Sequence, residues 1–428
     1  MDEKLENNYD KFFSDFLKNA KDFFKDLRNL KILSNLQSKE LIENSSQVVY
    51  GELESYLPEN YNGLGYLNML YLLLNIEIKM ECFAYEGKNI NLLFIEEPEA
   101  HTHPQMQYIF AKKVKNILKD LDALQTVISS HSSHIVSQCD FEDIRYLVKS
   151  NFKVGEKDYE QVVAKDFHSE LKEKYIDEPE LFQFLEQYLS LQFAELFFAD
   201  KIIFIEGISE KILLPYFIKL LDDENADNKN YVSLMSQNLS VVEVGANAKT
   251  FRHFIDFLNV QTLIITDIDT TKEGKSNKDK TIYTANPVTT STHTSNATIK
   301  YYLNAPDFSD IRFSSWFSDL KENRLKCDNE NIKLCYQVNE NNYHARSFED
   351  AFISINADII KSQLDRLQGL KNKKDFSTVT DIYELTANVL DKKSDFASSL
   401  LFLALSDDTI EWKIPKYIKD GLQWISQS

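Results

Sequence analysis

Acidic residues recur in this sequence where an apolar run stops. In IIFIEGISEKILL, residues 202–214, the run ends in Glu206, a glycine follows at Gly207, and Glu210 opens an apolar-periodic helix. LIITDID, residues 263–269, ends a second run in Asp267 and Asp269. Convergent carboxylates repel one another unless a cation neutralises them. Their hard oxygens suit Mg²⁺ or Mn²⁺. In open α/β sheets the ligand lies outside the carboxyl ends of the strands, so acids placed there face one crevice. The chemistry this arrangement allows is metal-dependent phosphoryl transfer.

Further candidates lie upstream. NINLLFIEEPEAHTHPQMQ predicts a strand at 92–95 ending in Glu96 and Glu97, stopped by Pro98, and a helix from about Pro104. An acidic pair at a strand end is what an ATPase needs for Mg²⁺ and for polarising water, although an exposed acidic turn looks the same. TVISSHSSHIVS, residues 126–137, leads a β-branched strand to His131, which can present its imidazole to a γ-phosphate or water. His101, His103, His131 and His134 invite zinc, but their spacing matches no common zinc site. YNGLGYLNMLYLLLNIEIKM, residues 61–80, places Gly63 and Gly65 before a strongly apolar helix. They allow an anion close to a helix N-terminus, and equally a plain turn before a buried helix.

The elements that must carry these residues follow from periodicity. Phe12, Phe13, Phe16, Ala20, Phe23, Phe24, Leu27 and Leu30 predict helix over 1–40. Residues 151–200 read as largely helical, with a packing stripe of Phe182, Leu185, Leu189, Phe193 and Leu196. From 201 the βαβ pattern is regular: strands at 201–205, 240–244 and 262–266, with helices carrying Glu210 and spanning about 248–258. Asp269 points the same way as Asp267 if the extended chain persists. A Rossmann-like domain with functionless acids is the alternative. Residues 272–300 read as a mobile surface loop, with Ser295, Asn296 and Lys300 opening a helical stretch. NNYHARSFEDAFI, 341–353, predicts a helix near Arg346, Glu349 and Asp350, and DKKSDFASSLLFLAL, 391–405, a helix with Ser394 as N-cap.

Bulk properties bound the class. A chain of 428 residues accommodates two or three domains, and 43% hydrophobic residues with 29 Phe and 21 Tyr argue against disorder. A net charge of −19 disfavours non-specific nucleic-acid binding by the whole molecule without excluding a local basic groove. Cys82, Cys139, Cys327 and Cys335 form no CxxC pair, no signal peptide opens the chain, and no apolar stretch spans a bilayer. The expectation is a soluble cytoplasmic protein with no membrane partner.

LLFIEEPEAHTHP and TVISSHSSHIVS resemble the Walker B and switch-histidine segments of an ABC-type ATPase head, and NGLGYLNML resembles its signature helix. Followed by EGISE and DID, this order resembles the OLD (overcoming lysogenization defect) family, in which an ATPase is fused to a Toprim nuclease. The resemblance runs from about residue 60 onward. With the helical arm (1–45) that the periodicity predicts, it implies an α/β chain with a partial ATPase domain (46–150), a helical connector (151–200), a Toprim core with a parallel sheet (201–310) and a helical C-terminal part (311–428).

The resemblance also implies roles. Glu96 would hold a metal through water, Glu97 would act as hydrolytic base, His131 would contact the γ-phosphate, and Gly63 and Gly65 would lie in the signature loop. Asn62 stands where many such signatures carry serine. The phosphate loop GxxxxGK[ST] does not occur before residue 60, and the GKS of Gly274, Lys275 and Ser276 has Asp269 where the first glycine belongs. The expectation is half an ATPase head, with the Walker A segment cut away or encoded separately, that uses ATP only if such a lobe is supplied. In the Toprim part Glu206, Glu210, Asp267, Asp269 and Glu349 would hold two Mg²⁺ or Mn²⁺ ions, one activating water and the other steadying the leaving oxygen, while Lys393 stabilises the pentacoordinate phosphate. The family implies DNA cleavage in phage defence, homo-oligomers, and in some systems a helicase partner (Gabija) or a reverse transcriptase with its reverse-transcribed DNA (retrons). The alternatives are a non-catalytic nucleic-acid-binding or assembly subunit, and a topoisomerase-like strand passer with a tyrosine adduct.

Overall fold

The structure is a computed structural model that describes residues 13, 14, 16–18, 31–34, 46–52, 55–58, 63–118, 123–155, 157–191, 193–229, 231–275 and 281–427. Two compact units divide the chain, residues 1–198 and 199–428.

The first unit contains an antiparallel sheet of β1 (Lys31–Ser34), β2 (Ser46–Glu52) and β3 (Ser55–Pro58), in that order. Lys31–Ser34 is thus a strand inside the stretch for which the Phe and Leu stripe predicts helix. Its backbone pairs with β2, Ile32 opposite Val48, and Ile32 is buried in a cluster with Phe16 and Leu17. Phe12, Ala20, Phe23, Phe24, Leu27 and Leu30 of the stripe lie outside the described residues. Next come α1 (Leu64–Glu86), β4 (Asn91–Glu96), α2 (Pro104–Leu118) and β5 (Leu124–Ser129), with β4 and β5 parallel. In α1 Met69, Leu70, Leu73 and Ile76 share one buried face, and Gly87 ends the helix at φ +59°. Proline at the first position of α2 loses no hydrogen bond, because that N–H has no intrahelical partner anyway.

After the single turn α3 (Ser133–Val136), strands β6 (Arg145–Val154) and β7 (Lys157–Asp166) form an antiparallel hairpin. This corrects the helical reading of 151–166. Val162 and Val163 favour extended chain, and Gly155 takes the left-handed φ of +67° that the tight reversal requires. The expected helical character begins only with α4 (Phe167–Lys174) and α5 (Pro179–Leu191), where Phe182, Leu185 and Leu189 are buried.

The second unit is built on a four-stranded parallel sheet. Strands β8 (Lys201–Ile205), β9 (Leu239–Glu243) and β10 (Gln261–Ile265) lie within one residue of their sequence-expected positions. Helix α6 (Ile208–Glu224) connects β8 to β9, and a 3-10 turn running into α7 (Arg252–Leu258) connects β9 to β10. The described residues of the stretch 272–300 form more regular structure than its polar composition suggests. β11 (Thr270–Lys275), β12 (Thr281–Ala285) and β13 (His293–Thr294) form an antiparallel sheet, followed by α8 (Ala297–Tyr302). Gly274 and Lys275 therefore belong to a paired strand, and Ser276 lies outside the described residues.

Helix α9 (Phe313–Lys321) precedes β14 (Ile332–Cys335), which completes the sheet in the order β14-β10-β8-β9. A small hairpin, β15 (Asn339–Glu340) and β16 (Tyr343–His344), leads into α10 (Phe348–Ser362), α11 (Asp375–Thr378), α12 (Ile382–Val389), α13 (Lys393–Ser406) and α14 (Lys416–Ser426). Phe217, Phe352, Phe396, Trp412 and Ile418 belong to one core that joins these helices to the sheet. Ser394 is not the N-cap of α13: Lys392 holds that position, and Ser394 falls inside the first turn. Among the described residues, no helix is long and apolar enough to cross a membrane.

Candidate active site

Strands β8 and β10 are parallel neighbours, with Phe204 opposite Ile264. Their carboxyl ends therefore deliver Glu206 and Asp267 to the same edge of the sheet. The Asp267 N–H donates to Glu206 Oε2 at 2.9 Å, and Thr266 Oγ1 donates to the same oxygen. Glu210 follows in the first turn of α6 and is buried. A Cβ on residue 207 would come within 2.9 Å of Glu210 Oε2, so glycine there makes room for the carboxylate. Glu349, in the first turn of α10, is only 2% exposed. It accepts from Ser209 Oγ at 2.8 Å and pairs with Lys393 Nζ at 2.8 Å. Asp267 Oδ1 accepts from Gln337 Nε2 at 2.6 Å and from the Phe348 N–H at 2.9 Å. Asp269 pairs with Arg346 Nη2 at 2.7 Å. Its φ of +45° ends the extended conformation, so the simple alternation expected between Asp267 and Asp269 does not persist.

In the first unit the parallel pairing of β4 with β5 sets Glu96 opposite Ser129. The Glu97 N–H donates to the Ser129 carbonyl at 3.1 Å, and Glu97 has φ +42°. Glu96, Glu97 and His131 are exposed, and His131 Nε2 lies 3.6 Å from Glu97 Oε1. Glu99, for which the sequence suggests no role, fixes the following turn by accepting from Ser130 Oγ at 2.9 Å and from the His131 N–H at 2.6 Å. Gly63 caps α1. A Cβ on Gly65 would meet the His101 carbonyl oxygen at 2.7 Å, so close packing of α1 on that turn accounts for Gly65 without any anion. Asn62 lies outside the described residues.

Residues 197–269 match the family described as overcoming lysogenization defect protein-like, TOPRIM domain, and residues 1–136 match AAA ATPase domain. The chain carries an OLD-like TOPRIM domain. It is 31% identical over 424 residues to endonuclease GajA of Bacillus cereus (strain HuB5-5), covering 92% of this chain and 57% of that protein. It is also 31% identical over 106 residues to the OLD nuclease of Thermus scotoductus (strain ATCC 700910 / SA-01), covering 25% of this chain and 19% of that protein. The chain thus spans little more than half of the longer match. The C-terminal region of the Burkholderia pseudomallei OLD protein overlaps 54% of this chain and 98% of its own length, at 20% identity and a TM-score of 0.30, too low a score to argue from.

Electrostatics set what the TOPRIM site can hold. Of the five carboxylates Glu206, Glu210, Asp267, Asp269 and Glu349, Asp269 pairs with Arg346 and Glu349 with Lys393, which leaves the acids in excess of the cations. Burial, reinforced by the charge of Glu349, pushes the Glu210 carboxyl up to about 7. Burial also drives Asp267 well above the ordinary carboxylate range, with Glu210 and Glu206 adding to it. Burial raises Asp269 despite Arg346. Burial works most strongly on the Lys393 ammonium and against it, but the charge and hydrogen bond of Glu349 together with the charges of Asp267 and Glu210 outweigh it and raise Lys393 overall. Among the described residues, no three His, Cys, Asp or Glu side chains already form a metal cage. The donor chemistry nonetheless fits Mg²⁺ or Mn²⁺: hard carboxylate oxygens with an excess of negative charge at a sheet edge.

A pH dependence follows for the metal-free protein. Glu210 titrates near 7 in the fold against a reference of 4.5, so the folded state holds the extra proton across that interval. Stability in chelator is expected to fall as pH rises from about 4.5 to 7, by up to about 3 kcal/mol from this group. Thermal melts of wild type and Glu210→Gln across that range check it. The glutamine variant is expected to lose most of the slope, and identical slopes would contradict it.

The TOPRIM domain also uses residues to which the sequence assigns no chemistry. Asn296 caps α8 by accepting from the Ile299 N–H at 2.9 Å, while its amide donates to Thr266 Oγ1 at 2.7 Å and the Asp267 carbonyl at 2.9 Å. The cap is legible, since Asn before an apolar helix is a start signal. Its grip on the carboxylate loop is not. Gln337 and Arg346 act on residues some 70 positions away, with no local pattern to reveal them.

Proposed function

We propose that this chain is a Mg²⁺- or Mn²⁺-dependent endodeoxyribonuclease that hydrolyses DNA phosphodiesters. The observation that carries this is the joining of Glu206 and Asp267 across β8 and β10, with Glu210, Glu349 and Lys393 packed beside them. The names of the two relatives, an endonuclease and a nuclease, support it. In this reading Glu206, Glu210, Asp267, Asp269 and Glu349 hold the ions, which when bound supply the activated water and the Lewis acidity of two-metal hydrolysis. Lys393 keeps an ammonium at the edge of the site, where it meets charge developing on the phosphate. Glu96, Glu97 and His131 form the hydrolytic side of an ATPase head that regulates the nuclease once a phosphate-binding lobe is supplied. DNA is the substrate, and defence against phage, in homo-oligomeric assemblies, is the setting this reading favours.

A second reading, a non-catalytic binding subunit, draws on the carboxylates being bonded to donors of the chain itself. One assay separates the two. Supercoiled plasmid incubated with the protein is expected to be nicked or linearised in Mg²⁺ or Mn²⁺ and untouched in chelator, and Glu206→Ala is expected to leave it intact. No cleavage by wild type with either metal, or undiminished cleavage by Glu206→Ala, sinks the nuclease reading.

A further inference from the structure

We propose that Gln337 is the positioning residue for Asp267, holding one carboxylate oxygen with a neutral donor so that the carboxylate is oriented toward a divalent cation. The proposal rests on the nuclease reading and deepens it.

Gln337 lies two residues beyond β14 and is 1% exposed. Its side chain grips both the functional group and the main chain of one short segment. Nε2 donates to Asp267 Oδ1 at 2.6 Å, and Oε1 accepts from the Ile268 N–H at 2.7 Å. The second amide hydrogen goes to Tyr417 OH at 3.1 Å, from α14, which anchors the amide plane from behind. A primary amide offers two donors and one acceptor group, and all are engaged here.

The segment needs such a grip because the sheet no longer supplies one. The Thr266 N–H still donates to the Cys335 carbonyl at 3.0 Å across β10 and β14. Beyond it Asp269 turns to φ +45°, and the Gln337 side chain bridges where the strand ladder ends.

A buried glutamine satisfied purely for folding is the plainer explanation, and the type of partner argues against it. Asp269 and Glu349 are each paired with a cation, Arg346 and Lys393. The groups bonded to Asp267 Oδ1 are a side-chain amide and a main-chain N–H, both neutral. A neutral amide fixes orientation without bringing a positive charge to a site that must admit a cation, which is the work of groups that orient metal-binding carboxylates from behind.

The test is Gln337→Met in the full chain, close in volume but without donor or acceptor. Mn²⁺ affinity is measured by calorimetry or electron paramagnetic resonance, beside kcat and KM on plasmid and a thermal melt. Folded Gln337→Met is expected to bind Mn²⁺ about 10- to 100-fold more weakly and to lose kcat in step, with KM for DNA unchanged. Folded Gln337→Met with wild-type Mn²⁺ affinity overturns the assignment and leaves the nuclease reading standing. Should Gln337→Met fail to fold, Tyr417→Phe decides. Loss of the hydroxyl behind the amide is expected to weaken Mn²⁺ several-fold, and wild-type affinity in that variant overturns the assignment. Wild-type protein that binds no Mn²⁺ overturns both the assignment and the nuclease reading.

Discussion

Asp267→Asn is expected, on the proposed nuclease reading, to abolish DNA cleavage, by about 10³-fold or more, and at the same time to make the metal-free protein more stable. The loss corresponds to about 4 kcal/mol of transition-state stabilisation, a reasonable share for the metal ligand that the proposed two-metal reading makes of Asp267. The gain has a separate cause. Burial and the charges of Glu210, Glu206 and Glu349 all disfavour ionised Asp267, as its strongly raised pKa records. Asparagine keeps an oxygen to accept from Gln337 Nε2 and the Phe348 N–H while removing that charge. Breaking such repulsion by neutral substitution is expected to add about 1–3 kcal/mol at neutral pH. Plasmid nicking in Mn²⁺ and melting in chelator read the two effects, and a variant both inactive and less stable would count against a site strained by its own charge. The opposition of the two effects is the usual mark of a functional cluster that the fold holds at a cost.

Lys393→Ala carries the second large effect, and here activity and stability are expected to fall together. Lys393 Nζ stands 2.8 Å from Glu349 Oε2, a carboxylate only 2% exposed, and its removal leaves a buried charge without its cation. A fully buried pair broken this way costs several kcal/mol, but the lysine side chain is itself 53% exposed, so about 1–2 kcal/mol is expected after solvent screening. On the proposed reading, in which Lys393 faces the reacting phosphate, its loss is expected to reduce kcat by about 10²- to 10³-fold. The double variant Lys393→Ala with Glu349→Gln separates the two roles. Denaturant unfolding is expected to show stability restored, because the orphaned charge is gone, while cleavage stays lost. Recovery of cleavage in the double variant would show that Lys393 acts only as the counterion of Glu349.

Much of this protein was determined by its sequence read as a string. Runs such as IIFI and LIITD are too short and apolar for anything but buried strands, and glycine after Glu206 marks a strand-to-helix turn, so the parallel sheet and its acidic edge are legible from local pattern. Glu96, Glu97 and His131 were legible for the same reason, as residues that end strands. Local pattern misjudged the stretches whose partners are distant or whose composition is polar. The stripe over 1–40 hides the strand Lys31–Ser34, the reading of 151–166 as helix hides a hairpin, and the polar run from 272 hides β11 and β12. In each case strand pairing, which a periodicity window cannot see, decided the outcome. Tertiary structure alone decided how the acids are held. Asp267 rests on Gln337 and Phe348, Asp269 on Arg346, and Glu349 on Ser209 and Lys393, and these contacts join strand ends to helices far along the chain. A sequence can announce that carboxylates gather at one edge of a sheet. Which of them keeps its charge depends on burial and on the neutral or charged character of each neighbour, and those are properties of the folded site.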